Sequence, residues 1–548
     1  MSKRPGRTPH RLVVFAALGL GLTAGCRFFS EERFMDLQVP PTRLRQIDTL
    51  NFEEMCLDEQ GAAEGERSEA EGGPSEELKL TLEDCRITAL RNNLDLNVER
   101  RSPAITEQSV TEERARFEPV FFSNFSSARI EQPIATTLES SETNSVNGDL
   151  GVYVPLRTGG NLTFDLAANR FETNNIFATL NPSYASGFSV SISQPLLRSG
   201  GIRASTHGIR IARYQTQISE ARTKLEVIRV IAAVDRFYWR LYAARRELEV
   251  RKNEYDLAAA QLERARRRLE AGAGPEVEVI RAEAGVAERL EAVIIADNEV
   301  RDRERELKRM LNKPGLEIEG PTVLVPQTEP QPVYYRLDVH RLVEAALESR
   351  MEMLELELQV AQDRSQEAFE RNQALPLLGF DYTYNISGLG ATEGDAFDMM
   401  DDAEFNGHRF GLQLQVPLGN QGARSRLRRA FFTRLQRLAT QAQRRAQIRQ
   451  EVANAADQLD TNWQRILASR QRTILAARTL KAEERQFELG LRTSTEVLEA
   501  QTDLADAQSA EVRALAEYQI AQVDLAFATG NILGVAGVTW EPIVPAGP

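Results

Sequence analysis

Short stretches of this chain alternate apolar and polar residues with a period of two. The alternation extends over about ten residues and includes many aromatic side chains, which is typical of strands that cross a membrane as part of a barrel. The apolar positions are Phe188, Val190, Ile192, Phe380, Tyr382, Tyr384, Ile386, Leu412, Leu414 and Val416. We therefore predict membrane strands in both halves of the chain.

Other segments have the 4-3-4 spacing of a coiled-coil seam, as in the run that begins with Phe431, Leu435 and Leu438. Each half is predicted to contain an opening helix, a very long helix, a glycine-containing turn and a return helix. The predicted helices are 82–116, 203–270, 276–311, 338–374, 424–489 and 494–529. At about 1.5 Å per residue the long helices span roughly 100 Å, and two shorter helices stacked end to end match one of them. We expect each return helix to stack on the opening helix of the other half.

The order of elements is repeated within the sequence. LTLEDCRITALRNNLDL at 80–96 matches LDVHRLVEAALESRMEM at 337–353 with an offset of 257 residues, whereas Pro195 and Pro417 differ by 222, so the first half has 35 additional residues. This insertion, near 134–170, reads as an added hairpin. The predicted domains are a first repeat at 80–320, a connector at 321–336, a second repeat at 337–533 and a C-terminal tail at 534–548.

The N-terminus has the pattern of a secretory signal. Basic residues precede an apolar run from Leu12 to Thr23 that is too short to span a bilayer as a helix. The run leads into LTAGC, which resembles the lipobox of bacterial lipoproteins and predicts a signal peptide at 1–26 with a lipid on Cys26. An ordinary signal peptide with an unrelated cysteine is the alternative. Residues 57–79 are rich in Glu and Gly and poor in large apolar side chains, and we predict a flexible acidic tether at 27–79.

The composition argues against several functions. A formal charge of -13 disfavours a nucleic-acid partner, which needs a basic patch. The four histidines are scattered, and the sequence has no phosphate loop, zinc-protease motif or nucleophile elbow, so we expect no enzymatic activity, metal or cofactor. Cys56 and Cys85 have no metal-like spacing; a buried thiol is the simpler interpretation, and a disulfide between them stays open.

The number of strands predicts an oligomer. Strands in lipid cannot leave unpaired edges, because no water is present to bind their N–H and C=O groups. One chain offers four barrel strands, or six with the inserted hairpin, whereas a membrane barrel needs at least about eight. Three chains with twelve strands are the smallest assembly that leaves room for a pore. We expect an α+β membrane protein: an antiparallel β-barrel completed by trimerisation and continued by a coiled-coil α-helical barrel.

The duplicated opening segment, SQPLLRSGG after a strand, and FELGLRTSTEVLEAQTDLADAQ after the second long helix resemble the TolC-like outer membrane efflux proteins. The resemblance covers about residues 80–533 and depends on order, spacing and duplication. It implies a homotrimeric channel-tunnel of a tripartite efflux or type I secretion system, with a twelve-stranded barrel in the lipid of the bacterial outer membrane and helices in the periplasm. It also implies a periplasmic adaptor (membrane fusion) protein and an inner-membrane pump or secretion ATPase as partners.

A passive duct of this kind needs a gate at its periplasmic end. Glu496 and Glu499 lie on one helix face where the family has its constriction acids, and six carboxylates from three chains would raise some carboxyl pKa values and attract cations. The resemblance implies that Arg492 helps to hold the tunnel shut, with Glu278 as its partner. Phe487 stands where a tyrosine is usual. The alternative for the acids is an ordinary solvated helix face.

The turns at Gly272 and Gly490, together with Leu489 and Leu491, are the predicted adaptor surface. Glycine also permits a tight turn with positive φ, and the two roles are compatible. The rival functions are a lipid-anchored periplasmic coiled-coil scaffold without a pore and a lipid-anchored enzyme. The scaffold does not account for the alternating aromatic strands, and the enzyme lacks a reactive group of residues.

Overall fold

The computed structural model of the protein describes residues 77–136, 139–272 and 275–539. The predictions for the signal peptide, Cys26, Cys56 and most of the tether concern residues outside these ranges. No helix in the described part of the chain is both long and apolar enough to cross a membrane.

Both halves of the chain contain, in order, a short strand, opening helices, sheet strands, a very long helix and a return helix; the first half has two more sheet strands, and the second has a helix between its sheet strands. The first half contains β1 (Glu77–Leu80), α1 (Leu82–Asn92), α2 (Leu94–Glu99), α3 (Ser102–Ala115), β2 (Val120–Glu131), β3 (Glu142–Pro155), β4 (Asn161–Thr173), β5 (Ser183–Pro195), α4 (Ile202–Ser205), α5 (His207–Glu270) and α6 (Glu276–Leu311). The second half contains β6 (Val323–Pro326), α7 (Val339–Ser349), α8 (Met351–Gln373), β7 (Leu377–Gly390), α9 (Glu393–Asp401), β8 (Asn406–Gln415), α10 (Gln421–Glu488), α11 (Ser494–Ala528) and α12 (Ile532–Val535). The predicted long and return helices are confirmed, and α5 and α10 have 64 and 68 residues.

The opening helix of each half is broken, although the sequence pattern predicts a continuous helix in both cases. Asn93 has ψ 129° and its side chain accepts a hydrogen bond from Leu96 N at 3.0 Å, so it ends α1 and caps α2. Pro103 lies in the first turn of α3, where a backbone N–H would have no hydrogen-bond partner within the helix, so its absence costs nothing. In the second half Arg350 has ψ 130° and pairs with Glu352 at 2.7 Å. A side-chain cap therefore interrupts the helix at Asn93, whereas the break at Arg350 has an ion pair and no side-chain cap.

A small parallel sheet joins the start of the first half to the connector. β1 pairs with β6, with Leu80 opposite Pro326. These strands lie within the predicted tether and connector, where the sequence predicts no regular structure, because the pairing is a long-range contact. The Tyr238 hydroxyl donates to Leu80 O at 3.2 Å and accepts from Thr328 N at 2.8 Å, which fixes the sheet to the middle of α5.

The shorter helices stack within each half, so the predicted stacking between halves is wrong. In the first half the Asn312 side-chain amide, at the end of α6, donates to Asn92 O at the end of α1 at 2.9 Å. In the second half Ser349 Oγ, at the end of α7, donates to Thr529 O beyond α11 at 2.7 Å. The β1–β6 pair explains this arrangement, because it holds the chain that enters α1 beside the connector that leaves α6.

The other strands form one six-stranded sheet in the order β2-β3-β4-β5-β7-β8. Every neighbouring pair is antiparallel. The inserted hairpin consists of β3 and β4 and therefore belongs to the sheet, between β2 and β5. The outer sides of β2 and β8 pair with no strand in the described ranges. The sequence allows four or six strands per chain in this sheet, and the described residues form six.

One face of the sheet is apolar and the other is polar. The register places side chains in rows that cross several strands. One row consists of Val152, Phe164, Val190 and Tyr384. The adjacent row, on the opposite face, consists of Gly151, Asp165, Ser189 and Asn385. The alternation seen in the sequence thus produces the two-faced sheet that a membrane barrel wall needs.

Helix α9, which the sequence analysis does not predict, packs against the end of the sheet that lies away from the long helices. Ser186 Oγ donates to Ala396 O at 2.7 Å. A Cβ atom at Gly388 would lie 2.0 Å from the same oxygen, so the close approach of α9 to β7 requires glycine.

The largest apolar core lies in the middle of the helical part, around α5. Ile231, Tyr238 and Leu241 of this helix are fully buried. Arg86 of α1 donates to both carboxylate oxygens of the buried Asp235, at 2.8 and 2.7 Å. This core joins α1, α6 and α11 to α5.

Candidate functional site

Two reversals of the chain lie at the end of the helical part away from the strands. One joins α5 to α6 and contains Gly272 with φ 65°, and the other joins α10 to α11 and contains Gly490 with φ 75°. Glycine adopts this left-handed conformation without a Cβ clash, so it ends a helix tightly. Leu489 and Leu491 flank Gly490 and are 69% and 73% exposed. The second turn therefore presents two apolar side chains to solvent.

Glu496 forms part of a helix cap. Its carboxylate accepts hydrogen bonds from Thr493 N at 2.7 Å and Thr493 Oγ1 at 3.1 Å, and Thr493 is the N-cap of α11. These bonds and the Arg492 guanidinium lower the pKa of Glu496. Within one chain the direction is opposite to the raised values that the sequence predicts for a ring of acids. The T-x-x-E spacing of a capping box was the available signal in the sequence.

Glu499 is exposed and shares a face of α11 with Glu496, as predicted. Asp503 and Asp506 are also exposed and extend this face with the same helical spacing. We call Glu496, Glu499, Asp503 and Asp506 the acidic stripe. Asp506 pairs with Arg251 of α5 at 3.0 Å. Asp503 and Asp506 are not among the predicted site residues, although their spacing is visible in the sequence.

The predicted pair between Arg492 and Glu278 is not formed within one chain. Arg492 instead pairs with Glu496 and with Glu483, the latter at 3.2 Å. Glu278, at the start of α6, accepts a hydrogen bond from Ser494 N at 2.9 Å. The first N–H groups of a helix have no partner in their own helix, and Glu278 lies where it satisfies one of them. Its carboxylate therefore connects the two turns.

We define α5 and α6 as the first hairpin, and α10 and α11 as the second hairpin. Phe487 is buried with Leu480, Val497 and Ala500 of its own second hairpin and also contacts Arg268 of the first. The guanidinium of Arg268 lies 4.8 Å from the centre of the Phe487 ring, and its Nη1 donates to Phe487 O at 3.3 Å. A phenyl ring in place of the usual tyrosine thus contacts a cation through its face. The sequence analysis missed Arg268, since nothing in its local pattern indicates this contact.

Arg289 of α6 is a second buried connection between the hairpins, and sequence reasoning missed it as well. It is 5% exposed. Its Nη2 donates to Leu498 O at 3.0 Å and to Thr502 Oγ1 at 2.6 Å, both on α11, and its Nη1 donates to Gly285 O at 2.9 Å. Its Nε lies 3.5 Å from the buried carboxylate of Glu254. One guanidinium therefore holds three helices together.

The region of the turns combines exposed carboxylates, exposed leucines and buried contacts between hairpins. Within the ranges that the structure describes, no group of three or more His, Cys, Asp or Glu side chains is placed to hold a metal ion. The acidic stripe is too extended for one cation. Glu499 and Asp503 are exposed to solvent, whereas Glu496 and Asp506 pair with Arg492 and Arg251. The exposed carboxylates can attract cations. The second hairpin can move away from the first when the contacts between the two hairpins break.

The sequence model of a family described as outer membrane efflux protein matches residues 161–313 and 342–531, more than half of the chain. The matched ranges include α5, α6, α10 and α11, and therefore both turns and the acidic stripe. β2 and β3 lie outside the match. No curated protein matches the sequence.

Solved structures share the fold. The outer-membrane channel OprN is 15% identical, with a TM-score of 0.61 over 82% of this chain and 90% of its own. The CmeC outer membrane channel of Campylobacter jejuni is 14% identical, with a TM-score of 0.60 over 82% of this chain and 86% of its own. The MtrE outer membrane channel of Neisseria gonorrhoeae, solved in an open state, is 15% identical, with a TM-score of 0.58 over 82% and 89%.

Proposed function

Because the chain belongs to the outer membrane efflux protein family, we propose that it is one subunit of a homotrimeric export duct in the bacterial outer membrane. The strands form part of a barrel in the lipid, and the helices extend the duct by about 100 Å into the periplasm. The duct serves a tripartite efflux or type I secretion system. It is passive and gated, and it needs no cofactor.

The sheet with two open edges is the observation that carries this proposal. Its apolar face suits lipid, yet the outer sides of β2 and β8 pair with no described strand. In a bilayer each unpaired N–H or C=O group costs several kcal/mol, so the edges must pair with other chains. β2 and β8 run in opposite directions, which allows antiparallel pairing of one copy with the next.

The lipid anchor and the partners complete the proposal. A diacylglycerol and an acyl chain on Cys26 hold the N-terminus at the membrane, beside the barrel. The exposed Leu489 and Leu491 at the second turn are the contact for a periplasmic adaptor, which joins the duct to an inner-membrane pump or secretion ATPase. Two exposed leucines at the tip of a rod suit this role, since apolar side chains contribute most when they are covered by a partner.

We assign the gate to the turn end of the helices. Three copies of the acidic stripe around one axis place carboxylates of like charge close together, which attracts cations and narrows the entrance. Glu499 is the principal acid, because the carboxylate of Glu496 is occupied by the helix cap. Opening requires the second hairpin to move away from the first, and the contacts of Glu278, Arg268 and Arg289 resist this movement.

Bilayer recordings test the gate. Glu499→Ala combined with Glu496→Ala should raise the single-channel conductance and weaken the block by divalent cations. Glu263→Ala on α5, which removes an exposed acid of the first hairpin, is the matched control and should leave both unchanged. Conductance equal to that of the unmodified protein would remove the gate assignment and leave the duct intact.

Membrane fractionation tests the duct itself. Outer-membrane fractions should contain a trimer on unheated gels that heat converts to a monomer. A scaffold without a pore would instead give a water-soluble monomer once the anchor is cleaved. That result would contradict the proposed function.

A further inference from the structure

We infer that the trimer closes an eighteen-stranded barrel, wider than the twelve-stranded barrel that the resemblance implies. The inference rests on the proposed trimeric duct. Each chain supplies six hydrogen-bonded strands in one sheet, so three chains supply eighteen. The inserted hairpin therefore sets the width of the exit through the outer membrane.

The hairpin has the same two faces as the strands beside it. Leu150 of β3 and Leu166 of β4 form a row with Phe188 of β5 on the apolar face. Asp149, the neighbour of Leu150, lies on the polar face. A hairpin that folded over the mouth of the barrel or into its lumen would meet water on both sides and would need no apolar face. The alternation indicates that β3 and β4 separate lipid from water.

The hairpin is also long enough to cross the membrane. β3 and β4 have 14 and 13 residues, the same as β7 and β5. A tilted strand crosses a bilayer with about 9–11 residues. All residues of β4 from Asn161 to Phe171 have partners in β5, so the hairpin is paired along its length.

The turn of the hairpin is fixed to the junction between strands and helices. Thr158 O accepts hydrogen bonds from Gly201 N at 2.8 Å and from the Gln194 side chain at 3.1 Å. Ser205 Oγ, in α4, donates to Arg157 O. These contacts place the turn at the same level as the ends of β5 and β7. A loosely attached surface hairpin would not be joined to the framework at this point.

The circumference expected for an eighteen-stranded barrel agrees with the circumference expected for the helical tunnel. Strands about 4.8 Å apart and tilted by about 40° occupy roughly 6.3 Å of circumference each, so eighteen give about 113 Å and twelve about 75 Å. Each chain has four helical columns, namely α5, α10, α6 with α1–α3, and α11 with α7–α8. Twelve columns about 9.5 Å apart give roughly 114 Å. An eighteen-stranded barrel therefore continues the helical tunnel without a constriction.

Deletion of residues 142–173 tests the width directly. β2 ends and β5 begins at the same end of the sheet, so the remaining segments can connect them. End-on electron micrographs of purified trimers should show the backbone diameter of the barrel falling from about 36 Å to about 24 Å. Deletion of α9, residues 393–401, removes a helix without removing a strand and is the control. An unchanged diameter after the first deletion would overturn the inference.

Cysteine labelling provides a second test that does not depend on the assembly of a deletion variant. Leu150→Cys and Asp149→Cys on β3 are compared with Phe188→Cys and Ser189→Cys on β5, in a Cys56→Ser background. Intact cells are treated with a charged thiol reagent that does not cross membranes. The polar-face cysteines should react at least roughly tenfold faster than their apolar-face neighbours on both strands.

The outcomes separate the inference from the proposed function. Alternating reactivity on both strands supports the wide barrel. Alternation on β5 with uniform labelling on β3 would overturn the wide barrel and leave the duct standing. Uniform labelling on both strands would contradict the membrane barrel and with it the proposed function.

Discussion

Replacement of Arg289 with methionine tests how the two hairpins are held together near the gate. Methionine keeps an unbranched side chain of similar length and removes the guanidinium. The change eliminates hydrogen bonds to Leu498 O and Thr502 Oγ1 on α11 and to Gly285 O on α6. It also leaves the buried Glu254 with one fewer cation nearby.

The expected magnitude follows from these contacts. Hydrogen bonds from a charged donor contribute about 1.5–3 kcal/mol each, and breaking a buried ion pair costs about 3–5 kcal/mol. The cost is at the low end here, because Glu254 keeps Arg251 at 2.9 Å and the two carbonyl oxygens remain inside helices. We expect a loss of about 3 kcal/mol, which corresponds to a roughly 100-fold change in a local opening equilibrium.

Hydrogen exchange followed by mass spectrometry measures this equilibrium on the intact trimer. Amides at 494–503 in Arg289→Met should exchange up to roughly 100-fold faster, and Arg289→Lys should give an intermediate rate because it keeps the charge without the planar fork. Arg301→Met is the control, since Arg301 is also on α6 but pairs only with Asp297 at an exposed position. If exchange in Arg289→Met equals that in the control, Arg289 does not hold the hairpins together.

Three other predictions concern the pH response, a thiol and the turn. The folded pKa of Glu496 is lowered from its usual value of 4.5, so its cap is fully present above that pH and is lost as the pH falls through the lower folded value. The protection of amides at the second turn, relative to their intrinsic exchange rates, should therefore decrease below pH 4.5, and Glu496→Gln should abolish this dependence. Burial raises the pKa of the Cys85 thiol to about 12, so maleimide at pH 8 should label Cys85 only in denatured protein, and labelling of the native trimer would contradict its burial. Gly490→Ala should destabilise the turn by about 1–2 kcal/mol, measured by exchange at the turn, because φ is 75° there; Leu491→Ser should leave exchange unchanged and weaken co-purification of the adaptor, and a parallel loss in both measurements would make Leu491 a folding residue.

Features that repeat over many residues were predictable from the sequence. The long helices α5 and α10 repeat apolar residues with coiled-coil spacing over many turns, so a single polar residue in the series does not hide the period. The return helices begin directly after Gly272 and Gly490, which mark the reversals. The strands were predictable because one face of the sheet is apolar and the other is polar. The strand character of the insertion followed from its alternation, but its place between β2 and β5 did not.

Features that depend on single side chains or long-range contacts were not predictable. The break at Asn93 depends on one amide that competes with the helical hydrogen bonds. The β1–β6 sheet joins segments about 245 positions apart, and the stacking of helices follows from that sheet. The partner of Glu278 is a backbone N–H of the other hairpin. The local sequence around Arg268 and Arg289 is that of exposed helix residues. No local pattern shows that either side chain contacts the other hairpin.

The distribution of apolar burial along α5 supports the proposal that opening is confined to the turn end. The middle of the helix buries large side chains such as Ile231, Tyr238 and Trp239. Each large apolar side chain of this kind contributes about 1.5–3 kcal/mol when buried. Past Ala244 the buried positions of α5 are small or polar, namely Glu254, Ala258, Gln261 and Ala265.

Near the turns the second hairpin has a small apolar cluster of its own, and polar contacts such as those of Arg289 join it to the first hairpin. The middle depends instead on the large apolar core around α5. Polar contacts such as those of Arg289 can exchange for water when the hairpins separate, at a modest net cost. An apolar core cannot exchange its contacts for water in this way, because its exposure to water is unfavourable over its whole area. Local opening at the turns is thus compatible with an intact trimer, and variants at the acidic stripe should change conductance without dissociating the subunits.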